Sequence, residues 1–410
     1  MQVALLSTLE PSDDDPAAPR ALLRLGGRSI LQIQLGTVLA LGCERVICVA
    51  DGQPREVLAL QHAAERAGAA FHVAGDGQTL ARAVRPNDEL LVLADGLVAD
   101  AGEIAGLLGL RDAVAVQPAN SGVASGYERI DADLAGGGVL RLSGRMVGRL
   151  AELPAEWNPV SALLRIAAQE GVRQVPLPPG LVGGTKWVLV RSDADAHRFE
   201  PQWLRLHTVG AGAGGPGRWL AARLVEQLGP ALLHAGTRPV TVAIAALILM
   251  LFGLGLAWVG FAATGFALLG LAWLIRRAAS LLARIDRDAL PAARARIRAG
   301  TVFNAVLDGS FVAAAMWRFQ AEAGAGTMPA VAAFVALVPF GLLRLIPQVF
   351  AMRRWARWFE DRLIVAAGLA AASLSEVFGL ALVAAGAVLL TVILAAAHDG
   401  PGAPRLPTAP

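Results

Sequence analysis

The residues best placed for chemistry lie between Ala279 and Val312, where a basic segment joins two apolar ones. Seven arginines fall within Arg276–Arg298, and one carboxylate, Asp308, stands inside an otherwise apolar run. An ionisable group at membrane depth is costly to hold, so it marks a functional site by default. Arg276, Arg284 and Arg298 could bind phosphate, because guanidinium forks match phosphate oxygens in geometry and charge. Plain enrichment of arginine on the cytoplasmic side of a membrane explains the same cluster. Asp308 is a candidate catalytic and metal-binding carboxylate. It could instead pair with Arg276 on a neighbouring helix, or sit near the interface in contact with water. A second candidate set comes early: Arg20 follows the loop after the apolar run VALLS, and Asp95 follows LLVL. Asp95 could be a metal ligand or a turn residue before Gly96.

The elements that must position these residues differ between the two halves. Of 410 residues, 55% are hydrophobic, too many for an ordinary soluble protein. Residues 1–208 carry 19 Arg/Lys against 24 Asp/Glu, and residues 209–410 carry 17 against 9. A basic, apolar second half points to anionic lipid headgroups, and no basic run interleaved with aromatics points to nucleic acid. The two cysteines, Cys43 and Cys48, lack further ligands at metal spacing and read as buried thiols in a reducing compartment. The six histidines are scattered and no GxSxG occurs, which argues against a hydrolase triad.

In the first half, short apolar runs at 3–7, 45–50, 70–73 and 89–93 alternate with helical spacing at 29–41, 55–67 and 78–84. That alternation predicts an α/β domain with a mostly parallel sheet over 1–208, and ligands bind at the carboxyl ends of such strands. A Gly-rich linker follows at 209–217, then an amphipathic helix at 218–236 that reads either as juxtamembrane or as a soluble helix packed on the first domain. Gly210, Gly212 and Gly215 spell GxGxxG, but no strand precedes them, so a dinucleotide site is not expected there. Six apolar segments between 237 and 397 predict an all-α polytopic membrane domain of about six helices, the last two meeting at Ser375-Glu376. They could also be one broken helix. Residues 398–410 read as a disordered tail. Arginine-rich loops after the second and fourth segments predict an inner-membrane protein with both ends, and hence the first domain, in the cytoplasm.

The order strand, loop, PRALLRLGGRSIL, helix, GCERVICVADG and ELLVLAD resembles the sugar-phosphate and inositol-phosphate nucleotidyltransferases over roughly 1–200. That resemblance implies a phosphate-cradling loop, a following cation at Arg20 and a metal aspartate at Asp95. The loop, Ser7 to Asp15, has no glycine and contains three adjacent aspartates, which repel a triphosphate. A later acidic motif is replaced by Trp187-Val188-Leu189-Val190-Arg191.

TRPVT at 237–241, LLARI and FNAVLDGSFV resemble the CDP-alcohol phosphatidyltransferases over about 215–397. The fusion is similar to bifunctional inositol-phosphate cytidylyltransferase/phosphatidyltransferase enzymes. The family motif holds two divalent metals on four aspartates, the last being the base. Ala283-Arg284 match its A-R pair; the four aspartates fall on Arg276, Ala279, Asp308 and Val312, and the spacer from Arg284 to Asn304 is nineteen residues instead of eight. The resemblance implies membrane lipids and a CDP-alcohol or nucleotide as partners, a homodimer through the membrane domain, and Mg²⁺ or Mn²⁺ if the chain is catalytic. With one aspartate retained, the expected function is binding of lipid or nucleotide phosphate at a degenerate site. The alternative is active transfer of a phosphoalcohol or phosphatidyl group to a hydroxyl acceptor.

Overall fold

The computed structural model describes residues 1–52, 55–208, 215–234, 239–288, 296–324, 327–349, 358–359 and 361–398. Two compact units make up the chain: the first contains Met1–His207 and the second most of the chain from Thr208 onward.

The strands of the first unit are β1 (Gln2–Ser7), β2 (Arg24–Leu25), β3 (Arg28–Ser29), β4 (Arg45–Val49), β5 (Ala70–Ala74), β6 (Glu89–Leu93), β7 (Leu97–Ala99), β8 (Ala113–Pro118), β9 (Leu134–Ser143), β10 (Arg173–Pro176) and β11 (Trp187–Leu189). Its helices are α1 (Ile30–Ala40), α2 (Arg55–Arg66), α3 (Gly77–Ala83), α4 (Ala101–Leu108), α5 (Ala119–Ala124), α6 (Gly144–Val147), α7 (Pro159–Gln169) and α8 (Asp193–Thr208). Seven strands form one sheet in the order β10-β8-β9-β6-β1-β4-β5. Neighbours are parallel except at β9, which runs antiparallel to both β6 and β8. The unit is therefore α/β with a mostly parallel sheet. Alternate residues of β1 feed two cores, Ala4 and Leu6 on one face, Val3 and Leu5 on the other. Burial on both faces is why these strands read as continuous apolar runs. Ser29 caps α1 by accepting from Gln32 N, so the helix starts where the cap residue predicts.

The second unit is helical: α9 (Pro216–His234), α10 (Pro239–Trp258), α11 (Ala262–Asp288), α12 (Arg296–Ala323), α13 (Pro329–Val349), α14 (Arg362–Ser373) and α15 (Phe378–His398). The expected linker is shorter than its composition implied, because Pro216 and Gly217 already belong to α9; 209–214 and the tail from 399 lie outside the described residues.

Six helices follow α9, but among the described residues four are long and apolar enough to cross a membrane: Val240–Trp258, Ala262–Arg284, Pro329–Ile346 and Phe378–Ala395. Helix α14 has 12 residues, and about 18 Å of helix falls short of the roughly 30 Å hydrocarbon core. Helix α12 is long, but it carries Asp308, Arg318 and Glu322 within its apolar sequence.

Residues 363–397 form two helices, and α12 holds the break between them. Arg318 donates to Ser373 O and Ser375 O at the end of α14, while Glu322 accepts from Gly379 N at the start of α15. A cation on carbonyls and an anion on an amide match the two helix dipoles. Phe266, Phe311, Phe340 and Phe378 stack with ring centroids 5.9 to 6.4 Å apart and pack α11, α12, α13 and α15 together.

Candidate functional sites

In the first unit, the parallel neighbours β1 and β6 deliver Ser7 and Asp95 to the carboxyl end of the sheet. Gly96, at φ +78°, turns the chain directly after Asp95, and a Cβ there would collide with Val190 O. Asp95 is 3% exposed and its Oδ2 accepts from Glu10 N at 2.8 Å. Burial pushes its pKa up to about 6, against the opposing pull of hydrogen bonds from the Glu10 amide, Ser7 and the Leu9 amide. The loop amides that would face a phosphate are thus turned onto a carboxylate of the protein itself.

The cations of the same loop are also engaged. Arg20 Nε donates to Pro11 O at 3.1 Å, and its guanidinium stands 3.8 Å from Asp13. Arg191 pairs closely with Asp13 as well. The three-aspartate loop is folded back on two arginines, so Arg20 is bound to the loop it was expected to serve. A cleft of about 300 Å³ contains Glu10, Arg20, Asp95, Tyr127 and Asn158. Asn158 Nδ2 donates to Glu10 Oε1 at 2.7 Å, fixing a second carboxylate beside Asp95. Cys43 and Cys48 are buried, and burial pushes both thiols up to about 12, so neither supplies a thiolate.

In the second unit, Asp308 is 7% exposed and pairs with two guanidiniums that sequence reasoning did not choose. Arg344 of α13 donates to its Oδ2 from Nε at 2.9 Å and Nη2 at 2.6 Å. Arg362, the first residue of α14, donates from Nε to Oδ1 at 2.7 Å and from Nη2 to Oδ2 at 3.0 Å. Its Nη1 donates to Phe359 O at 3.1 Å. The expected Arg276–Asp308 pair is not formed: the Arg276 guanidinium lies over the Phe303 ring, 5.5 Å from its centroid. Successive helical residues point about 100° apart, so the arginine of α11 that lines Asp308's pocket is Arg277, one turn after Trp273. Arg284 is exposed, and the side chain of Arg298 lies outside the described residues.

That pocket, about 450 Å³, is walled by Arg218, Arg277, Arg344 and Arg362 around Asp308, with Thr301 and Asn304 on the same stripe of α12 as Asp308. The two guanidiniums that converge on Asp308, those of Arg344 and Arg362, outnumber its single charge. Arg362 is 13% exposed and held by Asp308 and Phe359, whereas Arg344 is 51% exposed. Arg344 uses part of its five-donor fork on Asp308, and the remainder can meet a ligand.

Asp361, fully buried, fixes the wall that carries Arg218. It caps α14 through Leu363 N at 3.1 Å and accepts from Gly217 N in the first turn of α9 at 2.6 Å. A side chain at Gly217 would strike Asp361, Trp273 and Leu363, so the approach requires glycine. A lone arginine inside the apolar run of α13 was the signal available for Arg344, since a charge in an apolar segment calls for an opposite one. Nothing in the sequence singles out Arg362 from the other arginines of its loop.

Neither candidate metal position fits a metal ion well. Asp308 has both oxygens on guanidiniums, and Asp95 accepts loop amides. Among the described residues, no group of three or more His, Cys, Asp or Glu could hold a metal ion.

No protein-family model matches the chain, and no curated protein matches it. Among solved structures, it is similar over 50% of its length to a UDP-glucose pyrophosphorylase complexed with UDP-glucose, at 13% identity and a TM-score of 0.38, covering 99% of that chain. It is likewise similar to the UDP-glucose pyrophosphorylase from Acinetobacter baumanii, at 11% identity and a TM-score of 0.38, over 50% of this chain and 94% of that one.

Proposed function

We propose that this is a membrane protein that binds a phosphate-bearing anion in the arginine pocket of its helical unit, without a metal ion. The supporting observation is the arrangement around Asp308, where one carboxylate organises two guanidinium forks and leaves a cationic cavity. Charge-assisted forks of this kind recognise phosphate directly. In a metal-dependent site, by contrast, clustered carboxylates hold the ions that meet the phosphate. The frame resembles a CDP-alcohol phosphatidyltransferase site in which internal cations replace the metals. The arginine distribution further supports an inner-membrane location with the first unit in the cytoplasm. That unit serves in this reading as a retained α/β scaffold, since its loop amides and arginines are already occupied.

The test is equilibrium binding of CDP and glycerol 3-phosphate to the purified full chain in the presence of EDTA. Binding should persist without divalent cations and weaken by about tenfold or more in Arg344→Gln, the loss of about one charge-assisted hydrogen bond. Absence of binding by the unmodified chain in EDTA, restored by Mg²⁺ or Mn²⁺, would favour metal-dependent transfer instead.

A further inference from the structure

The loop after β1 closes on itself between Pro11 and Pro19, which form an isolated β-bridge. Inside it, Ser12 N donates to Ala18 O at 2.8 Å, and the Ser12 hydroxyl donates to Asp15 O and accepts from Asp15 N. The loop keeps its shape by its own hydrogen bonds and can move as one piece about the two prolines. Toward the start of α8 its contacts run through two consecutive carboxylates. Asp13 stands 3.8 Å from Arg20 and pairs closely with Arg191, while Asp14 Oδ2 accepts from Asp193 N at 2.6 Å. Both arginines sit at the cleft that contains Asp95. Arg20 lines it, and the Arg191 side chain lies on Gly126 of its wall, where a Cβ would collide with it. Arg191 Nε is buried and has no acceptor among the described residues, so Asp13 satisfies that guanidinium only in part.

We propose that this loop is a self-blocking strap, in which Asp13 and Asp14 act as an internal anion that keeps an external one off Arg20 and Arg191. The inference is independent of the pocket around Asp308, and it makes the closure of the first unit reversible. Three observations carry it. Two adjacent carboxylates take a pair of guanidiniums and a backbone amide, donors that serve any oxyanion. One buried donor of Arg191 is left over. The closing contacts are also exposed, with Asp13 41% and Arg191 32% accessible, and such pairs are weak and screened by salt. An external anion must open the strap first, so its apparent affinity is reduced by the fraction of molecules that are open.

The test is binding of inorganic pyrophosphate to the full chain in detergent and EDTA, with Arg344→Gln present throughout to weaken the pocket of the helical unit. Asp13→Asn keeps the shape of the side chain and removes its charge, and at this exposed position the variant should fold. It should raise affinity by about fivefold or more, and adding Arg191→Gln should abolish the gain. A second readout leaves Asp13 in place. The Asp13 amide donates to Arg191 O at 2.9 Å, and its hydrogen exchange should speed up as pyrophosphate displaces the strap. Unchanged affinity in Asp13→Asn, a gain that survives Arg191→Gln, or exchange at Asp13 that pyrophosphate leaves unchanged or slows, overturns the strap.

Discussion

Asp95 and Asp308 occupy comparable positions in their units. Each is a buried carboxylate at a place where a resemblance to nucleotide-handling enzymes implies a metal ligand, and each is satisfied by the protein itself. The partners differ. Asp95 takes neutral backbone amides, so its charge remains poorly compensated, and it shares a cleft with a second carboxylate, Glu10. Asp308 takes two guanidiniums, which outnumber its single charge. Internal contacts leave an acidic cleft around one carboxylate and set two cations on the other. What surrounds a buried aspartate decides which ligands its site can accept.

The sharpest way to break this contrast is Asp308→Ala. It leaves two guanidiniums facing each other in a buried site, and removing one partner of such a network costs about 3–5 kcal/mol. Thermal unfolding in detergent should show a large loss; a change near zero would mean that the arginines find other partners. Next, Arg344→Gln should lower affinity for a phosphate-bearing probe by about 1.5–3 kcal/mol, the range for hydrogen bonds to charged groups, with a smaller loss of stability than Asp308→Ala because Arg362 still pairs the carboxylate. Equal losses of stability and binding would make Arg344 a structural residue.

For Asp95 the prediction concerns pH. Its folded pKa of about 6 lies above the ordinary aspartate value of 3.8, so the folded state holds the proton more tightly. The resulting stabilisation is fully present below about pH 4 and is lost as pH rises through about 6, by about 1–3 kcal/mol. Asp95→Asn should remove that slope from denaturant unfolding of the first unit's α/β signal, and an unchanged slope would assign it elsewhere. The smallest effect is expected at Asp13→Ala, where exposed pairs with Arg191 and Arg20 contribute about 0.2–1 kcal/mol. A loss well above that would show that the ion pairs hold the loop shut.

The alternation of apolar runs and helical spacing made β1, β4, β5 and β6 legible, with the helix after Ser29 and a possible turn after Asp95. Strand β9 was not, because antiparallel insertion depends on partners far along the chain. Asp308 was legible as a costly charge in an apolar run. Its partners were not, since one helical step separates Arg276, which lies on Phe303, from Arg277, which lines the pocket. The approach of α13 and α14 to α12 sets the remaining pairs, and helix adjacency leaves no mark in local spacing. The back-folding of Asp13 onto Arg191, 178 positions away, was hidden for the same reason.

The central claim is that guanidiniums, not metal ions, receive a phosphate at Asp308. The most direct measurement is the affinity of the full chain for glycerol 3-phosphate, with and without EDTA, in the unmodified protein, Arg344→Gln and Asp308→Asn. The account predicts tight binding in EDTA that falls in Arg344→Gln and survives in any folded Asp308→Asn protein, because the carboxylate organises the arginines and does not touch the ligand. Binding that requires Mg²⁺ or Mn²⁺, disappears in Asp308→Asn and is indifferent to Arg344→Gln would contradict it.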